Sequence, residues 1–143
     1  MKQFLLSSVT LSHLVFGGFP PGEYAGVGTK TWVSGASKSY GVRVFIGDSK
    51  LKFHYEFEGA APLEFELSVA NQEYGFFTIG HAGGATGSGY CVRSGCHYTI
   101  PLGSGATEEW TFVFSGNRLL KLGSLVTETS KNYWEETLEK RDP

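Results

Sequence analysis

The stretch LKFHYEFE (residues 51–58) alternates without interruption: Leu51, Phe53, Tyr55 and Phe57 fall on one side of an extended chain, and Lys52, His54, Glu56 and Glu58 on the other. A helix would scatter both sets around its axis, so the period of two selects a β-strand with one buried face. PLEFELSV (62–69) repeats the pattern, with Leu63, Phe65, Leu67 and Val69 set against Glu64, Glu66 and Ser68. Eight further segments read the same way: KTWVS, SYGVRVFI, YGFFTI, GSGYCV, CHYTIPL, EEWTFVF, RLLKLGSLV and NYWEETLEK. Short connections rich in Gly, Asn, Asp and Ser separate them, among them Gly47-Asp48-Ser49 and Ser115-Gly116-Asn117.

About ten one-sided strands with tight turns make an antiparallel meander. No helical period follows residue 20, which removes parallel crossovers. A meander with one apolar face has two raw edges, and wrapping the sheet on itself removes the edges and buries that face together. The expected fold is all-β: an up-and-down barrel, or a flattened clam of two orthogonal sheets. Gly41, Gly75, Gly89 and Gly123 lie inside strand patterns and are expected at bulges or bends.

A length of 143 residues suits one domain, here residues 23–143. Charged residues make up 18% of the chain and aromatic residues 15%, the balance of a packed, ring-rich protein. Twelve Lys and Arg against fourteen Asp and Glu leave a net charge of −2 and no positive field for phosphates, so nucleic acid is excluded as a partner. Residues 1–22 read either as a secretory signal peptide or as a short amphipathic helix with Phe4, Leu11, Leu14 and Val15 capping one end. The first reading implies a periplasmic or secreted protein, the second a cytoplasmic one. The stretch is too short and too polar for an ordinary transmembrane span.

Face parity also places polar groups. With Leu120 and Leu122 on the face of Trp134 and Leu138, the last hairpin pairs Leu122 with Trp134 and Leu120 with Glu136 around a loop of Thr127, Glu128 and Thr129. Glu136 and Arg118 then point inward and are expected to form an ion pair, since an unpartnered buried carboxylate costs several kcal/mol. Glu108 shares a face with Trp110, Phe112 and Phe114 and begins its strand, which puts it at the rim. The alternative is a bulge that turns both carboxylates to solvent. In the pairs Glu108-Glu109 and Glu135-Glu136 the neighbours point to opposite faces and cannot share a proton.

The two cysteines sit in GSGYCVRSGCHY (87–98). A two-residue loop of Arg93 and Ser94 sets Cys91 opposite Cys96 within reach of a disulfide, whereas a three-residue loop sends the sulfurs to opposite faces. A bridge is the leading reading, followed by two free thiols. Zinc lacks ligands here, with only His97 and a distant His81 or His54 to add, and the spacing fits neither haem attachment nor a redox pair. GHAGGATGSG (80–89) lacks the ending and the following helix of a phosphate loop and reads as a flexible mouth loop. No serine sits in a nucleophile elbow.

The meander, the segment YAGVGTKTW leading into the first strand and the terminal NYWEETLEKR resemble the calycins, the group of lipocalins and fatty-acid-binding proteins, over most of residues 24–141. In lipocalins a Gly-x-Trp tryptophan packs at the closed end with an arginine from the last strand stacked on it. The corresponding residues here are Gly28, Trp32 and Arg141, with three residues between the first two rather than one. The resemblance implies a cup that binds small hydrophobic molecules. On this reading Trp32, Phe53, Tyr55, Phe65, Trp110 and Phe112 line a pocket for an apolar or aromatic ligand, with Arg118 and Glu136 as its polar patch and no cofactor or metal. Three rivals remain: a barrel whose rings fill its core, an interaction or inhibitor protein using the loops of 80–95, and an isomerase or hydrolase with Glu108 or Glu136 as general base. An internal void of roughly 300 Å³ or more would favour the ligand, and a solid interior the filled core.

Overall fold

In the computed structural model, which describes residues 18–142, the residues of the opening stretch alternate as expected. Leu51, Phe53 and Tyr55 are buried, while Lys52 and Glu56 are exposed. The next strand meets them face to face, with Leu51 opposite Leu67, Phe53 opposite Phe65 and Tyr55 opposite Leu63. The Phe53 and Phe65 rings stack at 4.8 Å between centroids.

Ten strands follow this rule: β1 (Gly22–Trp32), β2 (Ser37–Ile46), β3 (Lys50–Glu56), β4 (Leu63–Glu73), β5 (Phe76–His81), β6 (Thr86–Val92), β7 (Gly95–Gly103), β8 (Ala106–Ser115), β9 (Arg118–Val126) and β10 (Lys131–Lys140). Each pairs antiparallel with its neighbour in sequence, and β1 pairs with β10, so the sheet is a closed barrel. The expected N-terminal helix or signal peptide lies almost entirely outside the described residues. Gly22 already belongs to β1. Among the described residues no helix is long and apolar enough to cross a membrane.

The inward side chains are stacked in layers. One end is solid: Tyr24, Ile46, Leu51, Phe77, Leu119 and Leu138 fill it, and Phe19 lies edge-on to Phe77 and Phe112 at 5.4 and 5.2 Å. The opposite end carries Tyr40, Phe57, His81, Glu108 and Trp134. Trp32 sits on the inward face of β1 at this open end, not at a closed end as the lipocalin pattern implies. Arg141 lies at the other end of the barrel from Trp32; it is exposed, and its backbone N–H donates to the Glu23 carbonyl.

Cys91 pairs with Cys96 across the two-residue turn at Arg93 and Ser94, and a disulfide joins them over a Cα separation of 4.0 Å. Both side chains point into the core. The ring it closes is short, so replacing both cysteines with serine should lower stability by about 2 kcal/mol. Urea unfolding of the double variant checks this, with the midpoint falling and the slope nearly unchanged.

The last hairpin corrects the sequence reading by one residue. Lys121 faces Glu136, Gly123 faces Trp134 and Leu119 faces Leu138, around a four-residue loop of 127–130 closed by the Thr127 N–H donating to the Ser130 carbonyl at 2.9 Å. Leu120 and Leu122 therefore face outward, and Lys121 faces inward. Packing explains the choice: the Trp110 indole lies flat over Gly123, where a Cβ would come within 2.5 Å of it. Any larger inward residue at this level would expel the ring.

The in-strand glycines are corrected in the same way. Among the described residues the register shifts lie between Ala70 and Glu73 and between Pro101 and Gly103, at none of Gly41, Gly89 and Gly123. Gly123 gives Trp110 its room, and Gly89 does the same for Phe77. Gly75, with a φ of 85°, belongs to the β4–β5 turn.

Candidate functional site

The middle layer holds a charge pair. Lys121 donates from Nζ to Glu136 Oε1 at 2.6 Å, and the Tyr40 hydroxyl donates to Glu136 Oε2, also at 2.6 Å. Neither charged side chain has any solvent exposure. The ammonium is enclosed by rings, with Trp110 at 4.4 Å, Phe53 at 4.6 Å, Phe112 at 5.1 Å and Tyr55 at 5.8 Å from the ring centroids, and it points at the Tyr55 hydroxyl at 3.4 Å. Burial pulls the Lys121 ammonium below its ordinary value, and Glu136 pushes it back up. Burial first, and then the Glu136 charge, hold Tyr40 and Tyr55 above the usual tyrosine range, so both hydroxyls keep their protons. Every polar atom here has a partner, and the network forms a sealed floor.

Above the floor the barrel opens. A cavity of about 250 Å³ lies between Tyr40, Tyr55, Phe57, Phe65, Trp110 and Trp134, with Leu63, Leu102 and Leu125 closing its sides. Its polar wall is one cluster: His81 Nε2 lies 2.9 Å from Glu108 Oε2, and Trp110 Nε1 donates to Glu108 Oε1 at 3.1 Å. The Glu108 side chain is 14% exposed and that of His81 30%, so both reach the cavity without being in free solvent. The volume falls below the 300 Å³ set by the sequence reading, yet exceeds the roughly 150 Å³ that suffices for benzene in an apolar protein cavity. The filled core and the pocket thus each describe one half of the barrel.

Among the residues expected to line a pocket, the fold brings Tyr55, Phe65 and Trp110 to the cavity. Phe53 and Phe112 lie beneath it, packed on Lys121, and Glu136 lies in the floor. Trp32 is at the rim, where the Lys30 ammonium sits 5.0 Å from its ring and 5.2 Å from that of Trp134. The inward Arg118–Glu136 pair does not form: Arg118 is exposed and 4.0 Å from Glu139, because the one-residue shift hands its place to Lys121. Glu108 is at the inward rim as expected. Glu136 has no exposed atom and both oxygens engaged, so it cannot reach a substrate proton as a general base.

His81, Tyr40 and Trp134 were missed. His81 had a signal, since it shares the inward parity of Phe77 and Ile79 in FFTIGH. Lys121 had none, because a lysine flanked by leucines reads as the solvated residue of a one-sided strand. Among the described residues no group of three or more His, Cys, Asp or Glu side chains is placed to hold a metal ion.

On the outer wall, His54 bridges Glu64 at 2.7 Å and Glu56 at 3.0 Å. These two hydrogen bonds raise the His54 imidazolium above its ordinary value. A raised folded-state value means that the contribution is full below the unfolded value near ~6.5 and fades as pH rises through the folded one. An NMR titration should place the His54 midpoint above that of a free imidazole, and Glu56→Gln with Glu64→Gln should bring it down.

No family model matches this chain, and no curated protein matches it in sequence. Among solved structures it is similar to the S-type phycobiliprotein lyase CPES from Guillardia theta, with 7% identity and a TM-score of 0.68 over 96% of this chain and 93% of that one. It is also similar to Rv2717c from M. tuberculosis, with 14% identity and a TM-score of 0.56 over 94% of this chain and 96% of that one. At these identities the likeness is one of fold, and it is consistent with a calycin-like barrel.

Proposed function

We propose that this chain is a non-enzymatic binding protein that takes one compact aromatic or apolar molecule into the open end of its barrel. The observation that carries the reading is the contrast between the two halves: packed side chains fill one end, leaving outside them a loop-lined hollow of about 200 Å³ bordered by Gly18, Asp48 and Gln72, whereas the other end holds about 250 Å³ of ring-lined space. A core that needed only stability would gain by covering those rings, since apolar surface left open to water forgoes the free energy of burial. The sealed floor supports the reading too, because it fixes Tyr55 and Trp110 from below and so preorganises the walls. Likeness in fold to a protein described as a phycobiliprotein lyase supports a ligand-handling barrel at the level of architecture. The disulfide supports a periplasmic or secreted setting, where such a bridge persists.

Naphthalene, neutral and two rings wide, is the direct probe. Titrated into the protein it should perturb the fluorescence of Trp110 and Trp134 saturably, and the calorimetric heat should fit one site. Leu125→Trp, which fills the cavity from β9, should abolish both signals while leaving the far-ultraviolet spectrum unchanged. Binding that survives this replacement would place the ligand elsewhere and end the proposal.

A further inference from the structure

The cavity has a sign as well as a size. Its wall carries one carboxylate, Glu108, and each oxygen of that group meets a single protein N–H: Oε2 that of His81 and Oε1 that of Trp110. A carboxylate offers about four lone-pair positions, so Glu108 can still accept further donors from inside the cavity. Around it stand the rings of Tyr55, Phe65, Trp110 and Trp134, whose negative faces attract a cation and repel an anion.

Among the described residues two lysines, Lys30 and Lys121, face inward, and neither is part of the cavity lining. Lys121, the inward lysine of the middle layer, is covered by Trp110 and Tyr55 and matched by Glu136. Lys30 is at the rim with its ammonium against Trp32 and Trp134, outside the cavity lining. A barrel built to receive a carboxylate would leave an accessible cation inside. Here one inward cation is sealed, the other is held on ring faces at the rim, and the carboxylate in the cavity wall itself is Glu108.

We propose that the ligand is an organic cation, a compact aromatic ammonium compound whose ring lies among Phe65, Trp110 and Trp134 and whose N–H groups donate to Glu108. This rests on the open-end cavity being a ligand site, and it adds the ligand's chemical class. A charge-assisted hydrogen bond inside an aromatic enclosure is the strongest single contact the lining can make, because water and its screening are largely excluded there. His81 orients the carboxylate.

Three probes that share one ring and differ in charge test this: phenethylammonium, 2-phenylethanol and phenylacetate, each titrated by calorimetry at about pH 8. Phenethylammonium should bind about tenfold tighter than the alcohol, the increment of one charged hydrogen bond, and phenylacetate weakest of the three. Glu108→Gln keeps the shape of the side chain and should bring the cation down to the affinity of the alcohol. Glu109→Gln, on the outer face of the same strand, should leave the order unchanged. Equal binding of cation and alcohol, tightest binding of phenylacetate, or a cation preference that survives Glu108→Gln would overturn the assignment while leaving the cavity a ligand site. Binding by none of the three would overturn the ligand site itself. Should Glu108→Gln fold poorly, the order of the three probes on the unaltered protein still decides.

Discussion

Replacing Glu136 with glutamine is expected to lower the unfolding free energy by about 3–5 kcal/mol, the cost of stripping one partner from a fully buried ion pair. For a chain of this size that corresponds to a fall in Tm of roughly 10 °C or more. The glutamine fits the same space, so the loss comes from charge. Lys121 would be left among Trp110, Phe53 and Phe112 with no counter-ion, and Tyr40 would lose its charged acceptor. The pH dependence separates this from a packing defect. With Glu136 gone, burial is opposed only by the Glu108 charge and depresses the folded-state value of Lys121, so the unfolded chain binds more protons than the folded one. The variant should then regain stability as pH rises toward the ordinary lysine range, and urea unfolding between about pH 7 and pH 10 reads that slope. Lys121→Met combined with Glu136→Leu should recover part of the loss, because an apolar pair of similar volume needs no desolvation while the Tyr40 hydroxyl still lacks its acceptor. A single variant as stable as the parent at neutral pH would mean that the pair is not sealed.

The second large effect is at the seam. Gly26 lies opposite Leu138 where β1 meets β10, and a Cβ there would run into the Thr137 carbonyl oxygen and within 2.8 Å of the Leu138 Cα. Both obstacles are backbone, which cannot rotate away as a side chain could. Gly26→Val should therefore prevent β1 and β10 from pairing and cost more than about 3 kcal/mol, at the upper end of overpacking penalties. The open sheet would expose two unpaired edges, and edges seek other edges. The expected result is a shift of the gel-filtration profile from that of the parent to larger species, with near-ultraviolet circular dichroism weakened. Gly35→Ala is the control, since its Cβ would meet nothing within 4 Å and only a strained φ of 89° opposes it; it should elute as the parent does.

These two sites mark what the sequence could and could not show. LKFHYEFE announced its strand because apolar and charged residues separate completely over eight positions, and the tight turns then left a closed meander as the one arrangement without edges. The turn at Arg93 and Ser94 was readable because a two-residue loop alone brings Cys91 to Cys96. RLLKLGSLV failed for the opposite reason: leucines stand on both parities, at Leu119 and Leu125 inward and at Leu120 and Leu122 outward, so hydrophobicity does not choose a face. The choice came from tertiary partners, an indole over Gly123 and a carboxylate opposite Lys121. One residue of register moved the inward cation from Arg118 to Lys121 and changed the interior from a pocket with an accessible ion pair to a floor with a sealed one. The idea of an inward carboxylate paired with a cation held; its partner did not. Gly26 and Gly28 were read only as part of a family pattern, since nothing local reveals that Tyr40 crosses over Gly28 within 2.6 Å of where a Cβ would stand.

The account rests on the open half of the barrel being space kept for a guest. A crystal of the protein soaked in bromobenzene tests this most directly, because the anomalous signal of bromine places the molecule without interpretation of weak density. The predicted result is one strong bromine site between Phe65, Trp110 and Trp134, above an unmoved Tyr40–Glu136–Lys121 floor. A bromine-free interior in which Trp134 or Leu125 has folded down to fill the cavity would contradict it.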